Sequence, residues 1–318
     1  MDVGIHKDAL VAVVPAGMAG QPCRHLLRAL SLPDALVERL FRQGAVRLGQ
    51  SPVHPDQPLV TGARVHLLGG VEEPEPLLEE GVPDAGWPAV DVLYEDDHQL
   101  VVNKPSGILV HPGGPADTDT MAHRVAWHLW CEGLARRARH VHRLDKDTTG
   151  ALLYAKHSWA ARALDRQLAE GLISRVYWAI VVGRLTPDDG VIDEPIGRDR
   201  HVAGRFRVSA TGKPARTRYT TLDAARQAGG WVSLVECRLD TGRTHQIRVH
   251  LSHRGCPVVG DTLYGGGRGA GSLPWNEGHA LHARTISFRH LYSGDPLQVE
   301  APLPPAFRAA LDAWGLTV

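Results

Sequence analysis

The sequence predicts an α+β fold in two parts: a larger domain on a mixed, largely antiparallel β-sheet with flanking helices, and a small N-terminal α/β module. Three observations predict it. Strand-like runs outnumber helical ones and do not alternate with them in a βαβ rhythm. An acidic stretch punctuated by proline and glycine, from Gly70 to Gly81, interrupts both kinds of run. The chain's 318 residues also exceed what one small domain needs. The expected units are residues 1–70, a flexible acidic linker over 71–89, and residues 90–318.

In the N-terminal part, Leu10 to Val14 is an apolar extended run, and Arg24 to Leu30 has helical spacing. Ser31 is the expected N-cap of a second helix, Ala35 to Gln43, with Pro33 in its first turn and Gly44 as the stop. Ala45 to Leu48 and Arg64 to Leu68 follow as strands separated by turns. In the larger part, strands are expected at Val90–Tyr94, Leu100–Val102 and Ile108–Val110, with Asn103 to Gly107 as a turn. A helical stretch over 119–139 ends in the basic cluster Arg136, Arg137 and Arg139. Ser158 is the expected cap of a helix from Trp159 to Glu170, closed by Gly171. Ile173 to Gly183 is a strand that places Tyr177 and Ala179 on one face. Residues 187–214 form a hairpin with Arg198, Arg200, Arg205 and Arg207 near its tip, and strands recur at 216–221, 231–239, 257–259 and 284–288.

Composition narrows the function. With 43% apolar and 22% charged residues the chain is that of a globular protein. Formal charge is zero, yet residues 71–97 hold ten acids and no lysine or arginine, which leaves 35 cations against 25 acids elsewhere. That positive remainder suits a polyanionic partner. Cys23, Cys131, Cys237 and Cys256 form no CxxC pair, which argues against a zinc ribbon or a disulfide framework and for a reducing compartment. No signal-peptide pattern opens the sequence, and no apolar run approaches the roughly 18 residues that span a bilayer. A cytoplasmic protein with no membrane partner is expected, and a monomer.

Two charged stretches carry the chemistry. His142-Arg-Leu-Asp-Lys-Asp-Thr-Thr-Gly150 packs two acids, two cations, an imidazole and two hydroxyls into nine residues, ahead of an apolar strand. Asp145 lies two residues from Arg143 and next to Lys146, cations expected to keep it ionised as a nucleophile, base or ion-pair anchor. The other stretch is Thr241-Gly-Arg-Thr-His-Gln-Ile-Arg-Val-His-Leu251. Thr244 is the expected cap of a short helix running to His253. Ile247 and Leu251 would dock that helix, so that Arg248 can meet a carboxylate from elsewhere. His245, His250 and His253 lack metal-ligand spacing and no acid lies among them, so no metal is expected. No phosphate-loop, nucleophile-elbow or dinucleotide motif is present.

These stretches resemble two signature motifs of the RluA family of pseudouridine synthases. Five more runs agree in order: Asn103 to Pro112, Tyr177 to Gly183, Lys213 to Tyr219, Gly260 to Tyr264, and Leu281 to Ala283. Thr149 stands where the family usually has serine, and Pro214 interrupts the Lys213 run. Pro22 to Leu68 resembles a small RNA-binding domain first seen in a ribosomal small-subunit protein, the S-four-like domain. Its second helix departs from the family by mixing Asp34 and Glu38 with Arg39 and Arg42.

The resemblance implies a pseudouridine synthase catalytic domain over 90–318 that needs no cofactor. It makes Asp145 the catalytic aspartate, either attacking the ribose anomeric carbon or promoting elimination across the sugar. Tyr177 would stack on the target base or act as a base, and Arg248 would ion-pair the aspartate. Arg143 would help to displace the flipped nucleotide. Lys104, His142, Lys146, Thr244 and Gln246 in the larger domain, with Arg39 and Arg42 in the smaller, are the expected RNA contacts. Large-subunit ribosomal RNA is the expected partner. The alternatives are a transfer-RNA enzyme and a non-catalytic RNA-binding assembly protein.

Overall fold

A computed structural model describes residues 1–6, 9–30, 32, 34–68, 87–134, 138–265, 275 and 277–318. The expectations for Ser31, Pro33, Arg136, Arg137 and the acidic stretch up to residue 86 lie outside these residues.

The N-terminal part opens with a hairpin, β1 (Val3–His6) and β2 (Ala9–Val13), where the sequence suggested one extended segment. Helices α1 (Cys23–Ala29) and α2 (Asp34–Arg42) follow, then β3 (Val46–Leu48), β4 (Ser51–Pro52) and β5 (Arg64–Leu68). The sheet order is β1-β2-β5-β3-β4. Alternation along β2 and β5 turns Leu10, Ala12, Val65 and Leu67 inward against Leu26, Leu27 and Val37 of the helices. Trp159 and Tyr292 from the larger domain complete that core. The Met1 ammonium donates to the Tyr292 carbonyl at 2.8 Å, and His98 Nε2 lies 2.9 Å from the Val3 carbonyl oxygen. The small module is therefore packed onto the larger domain, not merely joined to it in sequence.

The larger domain begins with β6 (Val92–Glu95), β7 (Gln99–Lys104), α3 (Met121–Cys131), β8 (Arg139–His140), β9 (Thr149–Ala155) and α4 (Ser158–Ala169). It continues through β10 (Ser174–Val182), β11 (Asp189–Asp193), β12 (Ile196–Arg198), β13 (Phe206–Val208), β14 (Arg216–Gln227) and β15 (Gly230–Leu239). It ends with α5 (Gln246–His253), β16 (Leu281–Arg289), β17 (Pro296–Glu300) and α6 (Pro305–Trp314). The main sheet runs β11-β14-β15-β10-β16-β9-β7-β6, with β17 on β16 and β8 on β9. Its only parallel pairing among the described residues is β9 with β16; the rest is antiparallel, as the sequence predicted.

Four local expectations change. Ile108 to Val110 is no strand; Leu109 makes a lone bridge to Thr120. Val258 likewise makes only a bridge, to Val181. The helix expected over 119–139 stops at Cys131. His157 and not Ser158 caps α4, its side chain accepting the Ala160 N–H. An imidazole reaches the free amides as a hydroxyl would, and Ser158 is itself buried in the first turn.

Candidate active site

The turn between β8 and β9 is held from three sides. From below, Leu144 sits in the central core, and the His142 ring accepts the Leu153 N–H at 3.2 Å. Burial pushes that imidazole down to about 3, so it is neutral. From one flank, the fully buried Lys104 at the end of β7 donates to three carbonyls, those of Pro105 (2.9 Å), Lys146 (2.6 Å) and Thr148 (2.9 Å). From the other flank, Thr148 and Thr149 hydroxyls meet His279 Nε2 and His282 Nδ1, each at 2.8 Å. Gly150, at φ 105°, closes the turn where β9 pairs with β16. A Cβ there would lie 2.3 Å from the Ala283 carbonyl oxygen, so only glycine lets the strands meet.

What this turn presents is Asp145. Its Oδ2 accepts from Arg248 Nη1 at 2.9 Å. The same guanidinium donates from Nε (2.6 Å) and Nη2 (2.9 Å) to both oxygens of Asp261, a forked pair, and its Cζ lies 5.0 Å from the Tyr264 ring centre. Asp261 is itself fixed by the N–H groups of Leu263 and Tyr264, both at 3.2 Å. Burial alone would raise the Asp145 carboxyl. His245 and Arg248 outweigh it and hold the group below its ordinary value of 3.8. Burial likewise opposes the Arg248 charge, and Asp261 with Asp145 overrides it. The expectation that Arg143 and Lys146 keep Asp145 ionised is corrected: both are exposed, and the effective cation comes from a helix far along the chain.

That helix docks as expected through Ile247 and Leu251, both buried. Its start differs. Thr244 does not cap it; the N-cap is His245, at φ 57° and ψ 21°, the one described non-glycine residue with positive φ. The turn is braced by Gln246, whose Oε1 accepts from Arg243 N and Thr241 Oγ1 and whose Nε2 donates to Arg216 O and Thr217 Oγ1. His250 uses both ring nitrogens on Thr217 and the Glu194 carbonyl.

Tyr177 on β10 is 4% exposed and borders the same cleft as Asp145, Arg248 and His245. Burial raises its hydroxyl, against an opposing pull from Arg175. Arg143 and Arg243 stand exposed at the rim, and Thr244 lines the adjoining groove with Tyr177 and Arg175. The structure thus brings together Asp145, Tyr177, Arg248 and Arg143. Lys146 lies exposed on the neighbouring wall with Asp147 and His279. Three residues expected to touch RNA are corrected. Lys104, His142 and Gln246 are buried, and the hydrogen bonds just described fix all three to the protein. Arg39 and Arg42 project from α2 in the other module. Asp261 and Tyr264 are not marked by the sequence, although the run Gly260 to Tyr264 contains them, and His245 is marked there only as a rejected metal ligand. Among described residues, Glu95, His128 and Glu132 could offer ligand atoms to a metal. The Lys156 ammonium already sits 2.7 Å from Glu95, so a like charge opposes a cation there.

A half-buried carboxylate locked to a buried arginine beside a tyrosine, in a cleft with a basic rim, suits an enzyme acting on a polyanion. The model of the RNA pseudouridylate synthase family matches residues 98–253, spanning all three groups. The chain is 36% identical over 316 residues to the ribosomal large subunit pseudouridine synthase D of Xanthomonas campestris pv. campestris, covering 95% of this chain and 91% of that one. It is 44% identical over 223 residues to the uncharacterized RNA pseudouridine synthase YhcT of Bacillus subtilis strain 168, 70% of this chain and 71% of the other. Among solved structures, human RNA pseudouridylate synthase domain containing 4 superposes with a TM-score of 0.59 at 27% identity, covering 72% of this chain and 94% of that one. The chain belongs to the RluA family of RNA pseudouridine synthases. It is an isomerase that converts uridine in RNA to pseudouridine.

Proposed function

We propose that this enzyme modifies uridines of large-subunit ribosomal RNA, with Asp145 as the group that opens the glycosidic bond. The observation that carries the chemistry is the Asp145–Arg248–Asp261 chain of charge-assisted hydrogen bonds, which keeps one half-buried carboxylate ionised and aimed. In the overall reaction the bond from C1′ to N1 breaks, the uracil turns, and C1′ joins C5. C5 loses a proton and N1 gains one, so the product is an isomer. Asp145 either attacks C1′ or takes the proton whose loss drives elimination, and either role needs it as the carboxylate. Tyr177 lies where it can stack on the uracil or accept a proton. Arg143 stands at the rim, placed to fill the space left by the extruded nucleotide at a cost of a few kcal/mol, or about that, in lost stacking.

Support for the ribosomal target comes from the relatives called ribosomal large subunit pseudouridine synthase D, which align along more than nine-tenths of this chain, small module included. Beyond the catalytic rim, Arg198, Phe206, Lys213, Arg243 and Thr244 line a groove of about 400 Å³ that continues the basic surface for flanking phosphates. Large exposed apolar side chains such as Trp130, Leu172 and Trp231 lie on separate elements, which fits a monomer. Unpaired cysteines fit the cytoplasm.

The test is tritium release from transcripts labelled at uracil C5. Release from large-subunit ribosomal RNA is expected. Release from transfer RNA alone would overturn the target, and free uracil in place of pseudouridine would overturn the closing step.

A further inference from the structure

Beyond its effect on the Asp145 carboxyl, His245 stands out as the one described non-glycine residue with positive φ. A histidine in the left-handed region is uncommon and strained, and such strain persists where surrounding contacts impose it. Here those contacts are specific. His245 Nδ1 lies 2.8 Å from the Tyr264 hydroxyl, which also accepts the Phe206 N–H at 2.9 Å. The Phe206 ring meets the imidazole edge-on, with centroids 5.6 Å apart. Arg205 lies over the Tyr264 ring at 5.9 Å. With its oxygen accepting from Phe206, the tyrosine has its own proton to donate to Nδ1. That arrangement goes with the tautomer that carries its proton on Nε2. Nε2 is 4.0 Å from Asp145 Oδ2, the same oxygen that Arg248 holds.

We propose that His245 is a positioning residue for Asp145, set in its strained conformation and its tautomer by Tyr264 and by the Arg-rich hairpin β12–β13. It acts through the carboxylate: two donors on one oxygen stop the group from rotating and leave the other oxygen for the reaction. At 4.0 Å the contact is loose, as catalytic hydrogen bonds often are before substrate closes the site. The hairpin carries Arg198, Arg200, Arg205 and Arg207, so RNA phosphates that grip it press on the strand whose Phe206 amide anchors Tyr264. RNA engagement and carboxylate alignment are thereby linked by one path. This inference rests on Asp145 being the reacting group. Burial lowers the His245 imidazole below its ordinary value of 6.5. The charged groups that act on it are Asp145, Arg248, Asp261 and Arg143.

The test compares wild type, His245→Asn, Tyr264→Phe and Asp145→Asn as full chains. Asparagine tolerates the left-handed conformation, so His245→Asn should melt no lower than wild type. Its single-turnover rate of tritium release should nonetheless fall on the order of tenfold to a hundredfold, with KM little changed. Tyr264→Phe should show a smaller loss of the same kind. Carbon-13 NMR of the Asp145 carboxyl, which needs no RNA, should show it titrating at higher pH in His245→Asn. Nitrogen-15 NMR should show the Nε2–H tautomer in wild type and a mixture in Tyr264→Phe. An unchanged Asp145 titration in His245→Asn, or full turnover in that variant while Asp145→Asn is dead, would overturn the inference and leave the proposed function standing. Full turnover by Asp145→Asn would instead remove the proposed function beneath it.

Discussion

Arginine is used in opposite ways in the two modules. In the cleft, Arg248 is 7% exposed and spends its donors on two carboxylates, Asp145 and Asp261. On α2 of the small module, Arg39 and Arg42 are exposed and share the helix with Asp34 and Glu38. A buried charge is costly to desolvate and pays its way only through fixed partners, so it enforces geometry. An exposed charge is screened within about 8–10 Å in physiological salt, so it contributes attraction without direction. The cleft is built for chemistry, whereas the arginines of α2 can supply no more than undirected attraction.

The comparison breaks most visibly at Arg248. Arg248→Gln leaves the buried Asp261 and the half-buried Asp145 without their cation, and a loss of about 3–5 kcal/mol is expected in denaturant unfolding. The same change should cut turnover on the order of a hundredfold or more. It also moves a pH limb. Asp145 is depressed below 3.8 in the folded protein, so its contribution to stability is complete above that value and is lost as pH falls through the lower, folded one. Activity, which needs the carboxylate, should keep its acid limb below 3.8 in wild type. In Arg248→Gln burial is less opposed, and the limb should rise; a limb that stays put would separate Arg248 from the ionisation of Asp145.

A smaller effect is expected at Lys104, a buried cation whose partners are backbone carbonyls instead of carboxylates. Lys104→Met leaves those carbonyls without a donor, for a loss of about 1–3 kcal/mol. Hydrogen exchange should quicken over residues 145–149, and turnover should drop more than KM rises. Unchanged exchange there would show that the turn does not depend on the ammonium.

The smallest effect belongs to α2. Arg39→Gln with Arg42→Gln should leave stability and turnover of bound RNA alone and raise KM a few-fold. The slope of log affinity against log salt should shrink by roughly one per arginine removed. No change in that slope would mean that α2 does not touch RNA.

How much of this was legible in the sequence depended on the reach of each interaction. The Asp145 turn, the docking of α5 through Ile247 and Leu251, and the largely antiparallel sheet follow from local pattern. The Arg-rich hairpin expected over 187–214 is there but shorter, closed by β12 and β13, while β11 pairs with β14 instead. What could not be read was orientation across distance. Arg143 and Lys146 sit beside Asp145 in sequence yet face solvent, because a tight turn fans successive side chains apart. Lys104 was expected to touch RNA; lysine is almost never fully buried, and only the fold reveals three carbonyls converging on it. Nothing local marks Asp261; its forked grip on Arg248 joins elements that the sequence keeps apart. Some signals were present and unread. Pro305 at the start of α6 and Gly315 after its end are ordinary helix punctuation.

The central claim is that one ionised carboxylate, Asp145, does the chemistry. Its most direct test is tritium release from large-subunit ribosomal RNA by wild type and by Asp145→Asn, with both melting curves recorded. The substitution keeps shape and removes charge. A folded variant with release reduced to background is the result expected. Release at a substantial fraction of the wild-type rate from a folded Asp145→Asn would contradict the account.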